Sequence, residues 1–193
     1  MEPQDYPRGV KLGVDVGLAR VGLAVSDPDG MLAMPVKTLK RDAKKNSDIR
    51  VLAREAADRG AVQVFVGLPR SMRGTETAST QMARDYADLL LAELERSGNP
   101  IPVCLVDERL TTVSAHRNLH EAGLNSKDHR RVVDQAAAVA ILQQAIDMQR
   151  SLGRDVGEPV TSCRQQRQTG ALPAPTQESI ISQDNKRGNG AAL

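Results

Sequence analysis

The chain is expected to fold as an α/β domain on a mixed sheet, opening with a three-stranded meander and continuing through parallel crossovers. Three observations carry this expectation. Residues 10–26 alternate apolar with polar or small residues through two short stretches joined by a glycine-bearing turn. Residues 61–67 are a continuous apolar run of strand length, the pattern of a strand covered on both faces, and residues 101–107 read as a further strand. Around these runs, apolar residues recur at helical spacing.

In the first strand Val10, Leu12, Val14 and Val16 alternate with Lys11, Gly13, Asp15 and Gly17, so Asp15 points away from the valine face. A carboxylate in so apolar a segment loses hydration unless it is paired, hydrogen-bonded or bound to a cation, which makes Asp15 a candidate functional residue. An aspartate capping backbone amides at a strand end is the alternative. Residues 20–26 return as the second strand, Asp27-Pro28-Asp29-Gly30 has turn composition, and Met31 to Leu39 is the third extended stretch. Ile49, Leu52, Ala53, Ala56 and Ala57 mark a helix over residues 45–59, stopped by Gly60.

The fourth strand, 61–67, runs into Gly67-Leu68-Pro69-Arg70-Ser71-Met72-Arg73-Gly74, a loop at the strand end where open α/β sheets place their sites. Arg70 and Arg73 sit in it. A long helix over 75–97 turns Met82, Tyr86, Leu89, Leu90 and Leu94 inward and closes at Gly98-Asn99-Pro100. The fifth strand, 101–107, delivers Asp107-Glu108-Arg109-Leu110-Thr111-Thr112 to the same rim. A helix over 112–122 ends at Gly123, and a polar stretch leads into a last helix over 132–149. The expected organisation is a flexible lead over 1–8, a folded domain over 9–150, and a disordered polar tail over 151–193, where Gln, Ser, Thr, Gly, Pro and Asn replace the periodic pattern.

Composition narrows the function. Aromatics make up 2% of the 193 residues, only Tyr6, Phe65 and Tyr86, which argues against a base-stacking platform for single strands. With 26 basic and 24 acidic residues the net charge is +2, and any phosphate-binding surface must come from local clusters. Cys104 and Cys163 lack metal-ligand spacing, and His116, His120 and His129 form no triad or ligand pattern. No apolar run reaches the ~20 residues of a membrane span, and the N-terminus lacks a signal core, so the expected location is cytoplasmic, away from the membrane.

This element order matches a ribonuclease H-like layout, a mixed five-stranded sheet with flanking helices and strand one at its centre. Asp15, the end of strand five and the last helix can then converge. Asp134 precedes Ala137, Ala138 and Ile141 at helical spacing, which puts it on the inward face; pairing with Arg130 or Arg131 is its alternative role. On strand five, alternation sends Asp107 and Glu108 to opposite faces, and the longer Glu108 suits the reach toward strand one; reversed roles, with Asp107 aimed at the site, are the alternative. Asp15, Glu108 and Asp134 at one rim repel one another unless a divalent cation neutralises them, and hard oxygen ligands suit Mg²⁺ or Mn²⁺.

Asp15-Val16-Gly17-Leu18-Ala19-Arg20-Val21-Gly22, then Gly67-Leu68-Pro69 with Gly74, then Asp107-Glu108-Arg109-Leu110-Thr111-Thr112, then Asp134 with Ala137, Ala138, Ile141 and Leu142, resemble the YqgF/RuvX family over residues 10–150. The resemblance implies a ribonuclease H-like nuclease, acting on the 5′ end of pre-16S ribosomal RNA or on four-way DNA junctions. It makes Asp15 the strand-one metal ligand, Glu108 the strand-five acid and Asp134 the last-helix acid. Better-known related resolvases place an acid on strand four, where this chain has Val64-Phe65-Val66-Gly67. Arg20, Arg70, Arg73 and Arg109 are the cations available to a phosphate backbone, and Thr111 and Thr112 could bind phosphate through hydroxyls and helix N-terminal amides. A junction resolvase would be expected as a homodimer. Two other classes fit less well. An actin-like ATPase would need a second such domain, and an inactive nucleic-acid-binding module would not need all three acids.

Overall fold

The computed structural model describes residues 5–71, 73–108 and 127–161, with backbone only for 127–132. Strands β1 (Lys11–Val16), β2 (Arg20–Ser26) and β3 (Ala33–Lys40) form the meander, followed by helix α1 (Ser47–Asp58), β4 (Gln63–Leu68), helix α2 (Ala78–Arg96) and β5 (Val103–Asp107). Helix α3 (Lys127–Leu152) and a short β6 (Glu158–Pro159) complete the described chain. The sheet order is β3-β2-β1-β4-β5-β6. β1 is antiparallel to β2 and parallel to β4, and β4 is parallel to β5, so this is the ribonuclease H-like sheet. Its sixth strand, antiparallel to β5, was not expected. The helix expected over 112–122 lies outside the described residues.

The period-two alternation divides the core. Leu12, Val14 and Val16 join Val64, Val66, Leu68, Val103 and Leu105 on the face covered by α1 and α2. Phe65, Cys104 and Val106 lie on the other face, under Ala138, Ile141, Leu142, Ala145 and Ile146 of α3. α1 turns Ile49, Leu52, Ala53 and Ala56 inward, as its spacing predicts. Its buried Asp48 is held by Arg41 at 2.9 Å, and the Arg41 guanidinium stands 5.0 Å from the centre of the Tyr86 ring. α2 begins at a capping box between Thr77 and Thr80. β3 is an edge strand, and its Pro35 falls where the β2–β3 register shifts, a position that tolerates the missing N–H.

α3 lies very close to the sheet because both surfaces are built from small residues. A Cβ on Gly13 would stand 2.6 Å from Leu142 Cβ and 2.7 Å from the Ala138 carbonyl oxygen. Any side chain there would lift the helix.

The expected boundaries of the domain need correction at both ends. Folded structure continues past residue 150, through the end of α3 and β6 to Thr161. Asp155 accepts from Gln63 Nε2 at 2.9 Å and from Gln149 Nε2 at 2.8 Å, and both glutamines are fully buried. Val156 is buried beside them. Composition hides this, because polar residues that satisfy one another in the interior look the same as solvated ones. At the other end, residues 5–8 are not a loose lead. The Asp5 amide donates to Gly153 O and its carbonyl accepts from the Asp155 amide, both at 3.0 Å. Residues 1–4 and 162–193 lie outside the described residues.

A chain ending at Leu152 is therefore expected to be clearly destabilised, by about 2 kcal/mol or more, because it leaves the Gln63 and Gln149 amides without their carboxylate. A chain ending at Thr161 keeps each of these contacts and should match the full chain. Urea unfolding of the two checks this; equal midpoints would show that β6 and the Asp155 network contribute nothing.

Candidate functional site

The site is built on one row across the central strands. Asp15 of β1 pairs with Gly22 of β2. The β1–β4 register pairs Val14 with Val66, and one further residue sets Gly67 beside Asp15. Directly opposed residues share a face, so Gly22, Asp15 and Gly67 all present the side covered by α3, at a spacing of ~4.8 Å per strand. The carboxylate is thus flanked on both sides by glycine. Asp15 itself is only 5% exposed.

Each glycine makes room for groups from other elements. A Cβ on Gly22 would overlap the backbone carbonyl of Asp134, so α3 rests directly on that point of β2. A Cβ on Gly67 would stand 2.5 Å from Glu108 Oε1 and 2.5 Å from Ile141 Cδ1. The Glu108 carboxylate therefore lies over Gly67, the strand neighbour of Asp15, and Glu108 is likewise only 5% exposed. Alternation along β5 explains its aim. Cys104 and Val106 belong to the α3 side and Leu105 to the other, so Glu108 follows the former and Asp107, paired with Leu68, the latter.

Asp134 comes to the opposite side of Asp15, and its side chain is engaged. Arg20 Nε donates to Asp134 Oδ2 at 2.5 Å. Arg20 lies two residues before Gly22 in β2, on the same face, and its carbonyl accepts from the Gly17 amide at 2.9 Å, which closes the β1–β2 turn. The partly exposed pair adds little to stability, but it fixes where one cation and one carboxylate stand at the rim.

The structure sets Asp15, Glu108 and the Asp134 backbone on the α3 side of the sheet, with Arg20 on the Asp134 carboxylate. It does not bring Arg70 with them. Arg70 reaches Glu158 at 3.7 Å, and Glu158 also binds Arg84 of α2, so this arginine serves the α2 side of the sheet edge. Arg73 is exposed in the β4–α2 loop. Arg109, Thr111 and Thr112 lie outside the described residues, as do the side chains of the three histidines.

Asp15 and Glu108 are buried carboxylates on one side of the sheet, hard-oxygen donors of the kind that suits a divalent cation, and the Glu108 carboxylate takes the room that Gly67 leaves. Among the described residues no three acidic, histidine or cysteine side chains converge closely enough to hold a metal ion. Asp134, the third acid the sequence suggests, pairs with Arg20.

What periodicity and motif spacing miss is the work of Gly22 and Gly67. Both are visible as motif glycines, and a glycine inside an apolar strand is itself a signal that another backbone or side chain approaches closely.

Residues 9–148 match a family described as RuvX, Holliday junction resolvase. Relatives named "Putative pre-16S rRNA nuclease" include one from Kineococcus radiotolerans, 52% identical over 143 residues and covering 74% of each chain. One from Mycobacteroides abscessus is 47% identical over 157 residues, covering 81% of this chain and 92% of its own. One from Mycobacterium tuberculosis is 50% identical over 143 residues, covering 74% and 81%. Among solved structures, Thermus thermophilus RuvC in complex with Holliday junction substrate aligns with a TM-score of 0.46 at 17% identity, over 78% of this chain and 99% of its own.

Proposed function

The chain belongs to the RuvX family, and from that premise we propose that it is a metal-dependent endonuclease that trims the 5′ end of pre-16S ribosomal RNA. The observation that carries this reading is the pair of buried carboxylates, Asp15 and Glu108, set on one face with only Gly67 between their strands. Buried carboxylates on one face of a sheet are the hard-oxygen ligands a divalent cation takes. The choice of RNA rests on the names of the relatives.

Asp15 and Glu108 would hold Mg²⁺ or Mn²⁺, which supplies an activated water and charge compensation for the leaving oxygen. The chain's own residues do the rest. Arg20 stands at the rim on Asp134, and a substrate phosphate arriving there would compete for its guanidinium. Released from Arg20, Asp134 would be available as the third acid beside Asp15. Arg109, Thr111 and Thr112 would contribute further phosphate contacts at the end of β5. Arg70 is better placed to organise the sheet edge through Glu158 than to meet the scissile phosphate.

Cleavage of end-labelled pre-16S RNA and of a four-way DNA junction, each with Mg²⁺, Mn²⁺ or EDTA, tests the reading. The expected result is metal-dependent cutting of the RNA and an intact junction. Symmetric junction cutting by a dimer, checked by molar mass in solution, would make the chain a resolvase instead. Tight binding with no cleavage of either would make it a binding module.

The β5 geometry adds a sharper expectation. Glu108→Gln should lose most cleavage and weaken Mn²⁺ binding, whereas Asp107→Asn, on the opposite face, should leave Mn²⁺ affinity unchanged. Mn²⁺ titration followed by relaxation compares them, and weakened binding in Asp107→Asn alone would reverse the two roles.

A further inference from the structure

A large concave feature lies at the other end of β1. This cavity of about 540 Å³ is lined by Tyr6, Arg8, Lys11, Asp29, Gly30 and Arg150, among others. Lys11 is four residues before Asp15, which places it about 13 Å away along the strand at ~3.3 Å per residue. α3 crosses the sheet between the two at Gly13. The cavity is thus separate from the carboxylate site.

Lys11 is 1% exposed, yet its side chain lines this cavity. Its Nζ comes so near Gly30 that a Cβ there would stand 2.8 Å from it. Among the described residues its one close partner is the Tyr6 ring, 5.5 Å from Nζ to the ring centre, and neither a hydrogen bond nor an ion pair holds the ammonium. Burial pulls its pKa below the ordinary 10.5, and the carboxylates of Asp155 and Asp27 offset that only in part. Both carboxylates are already committed. Asp155 serves Gln63, Gln149 and the Val156 amide, and Asp27 accepts from the Met31 and Leu32 amides.

The wall opposite is rigid. Asp27 and its backbone close the turn on itself, and Gly30 sits at φ +66 with its amide on Asp27 O at 2.9 Å. The lining brings the Lys11 and Arg150 cations to one preformed hollow of the size that takes a nucleotide, with Asp29 at its wall. A buried, incompletely compensated ammonium in such a place is matched by an anion, and the strongest match to ammonium and guanidinium groups together is a phosphate.

We propose that this cavity is a second site, which binds the phosphate of a nucleotide-sized ligand between Lys11 and Arg150. The phosphate comes from a free nucleotide or from the terminal nucleotide of an RNA, and the test separates these sources. It does not depend on the carboxylate site being a nuclease centre.

The experiment is calorimetric titration of the full chain with inorganic phosphate, ADP, and a short RNA carrying a 5′-phosphate or a 5′-hydroxyl. Arg150→Gln changes an exposed residue of the last helical turn and keeps the fold, and Lys11→Met, checked first for an unchanged melting temperature, removes the buried charge. Saturable binding of a phosphorylated probe is expected, weakened about tenfold in Arg150→Gln and further in Lys11→Met. Binding of ADP identifies a free nucleotide; binding of the 5′-phosphorylated RNA alone identifies an RNA end. No saturation with any probe, or equal affinity in wild type and Arg150→Gln, overturns the proposal. Binding lost in Asp15→Asn but kept in Arg150→Gln also overturns it, since the probe would then occupy the carboxylate site.

Discussion

Asp15→Asn is expected to lower metal-dependent cleavage by about a thousandfold or more, the scale on which a single charge-stabilising group registers, while the protein stays folded. Asp15 is buried on the row that carries Gly67, over which the Glu108 carboxylate lies. Asparagine keeps the shape and removes one anionic oxygen ligand. Binding to the native state raises stability, so added Mn²⁺ should raise the wild-type melting temperature and leave that of Asp15→Asn unmoved. Thermal melts with and without Mn²⁺, read beside the cleavage assay, decide it. A variant that still cuts, or that still gains stability from Mn²⁺, removes Asp15 from the centre.

Gly22→Val should be among the most destabilising substitutions in the chain. A side chain at this point meets the backbone carbonyl of Asp134, in a helix whose Ala138, Ile141, Leu142, Ala145 and Ile146 are packed on the same face of the sheet. Forcing bulk into a packed interface costs ~3 kcal/mol at the upper end of the usual range, and here the obstacle is backbone. At ~2–4 °C per kcal/mol for a chain of this size, the melting temperature should fall by roughly 6–12 °C. Cleavage should drop as well, because lifting α3 separates Asp134 from Asp15. Denaturant unfolding and the cleavage assay on the same preparation test both halves; a stable, active Gly22→Val would show that α3 is free to shift from the sheet.

Much of this arrangement is legible in the order of residues alone. The meander, the central place of β1, the helical spacing of α1 and α2 and the face carrying Asp15 all follow from apolar periodicity, which is a local property of the backbone. The separation of Asp107 from Glu108 follows from the same alternation, continued one residue past the strand. Motif glycines at 22 and 67 are visible too, though their purpose is not. A glycine in a sequence announces that space is needed without saying what fills it.

What periodicity cannot reach is the choice of partner between distant residues. Asp134 could pair with a neighbour on its own helix, yet the arginine that holds it is Arg20, 114 residues earlier. Arg70 belongs to a rim loop in the chain order, but Glu158 and α2 draw it to the other side of the sheet. Residues 153–161 look like polar tail and instead carry Asp155 to the buried amides of Gln63 and Gln149. Alternation and helical spacing determined which face each residue presents. Only the tertiary structure decided which charges meet, because a polar side chain is stable inside only where a complementary group, set there by the packing of another element, is already waiting.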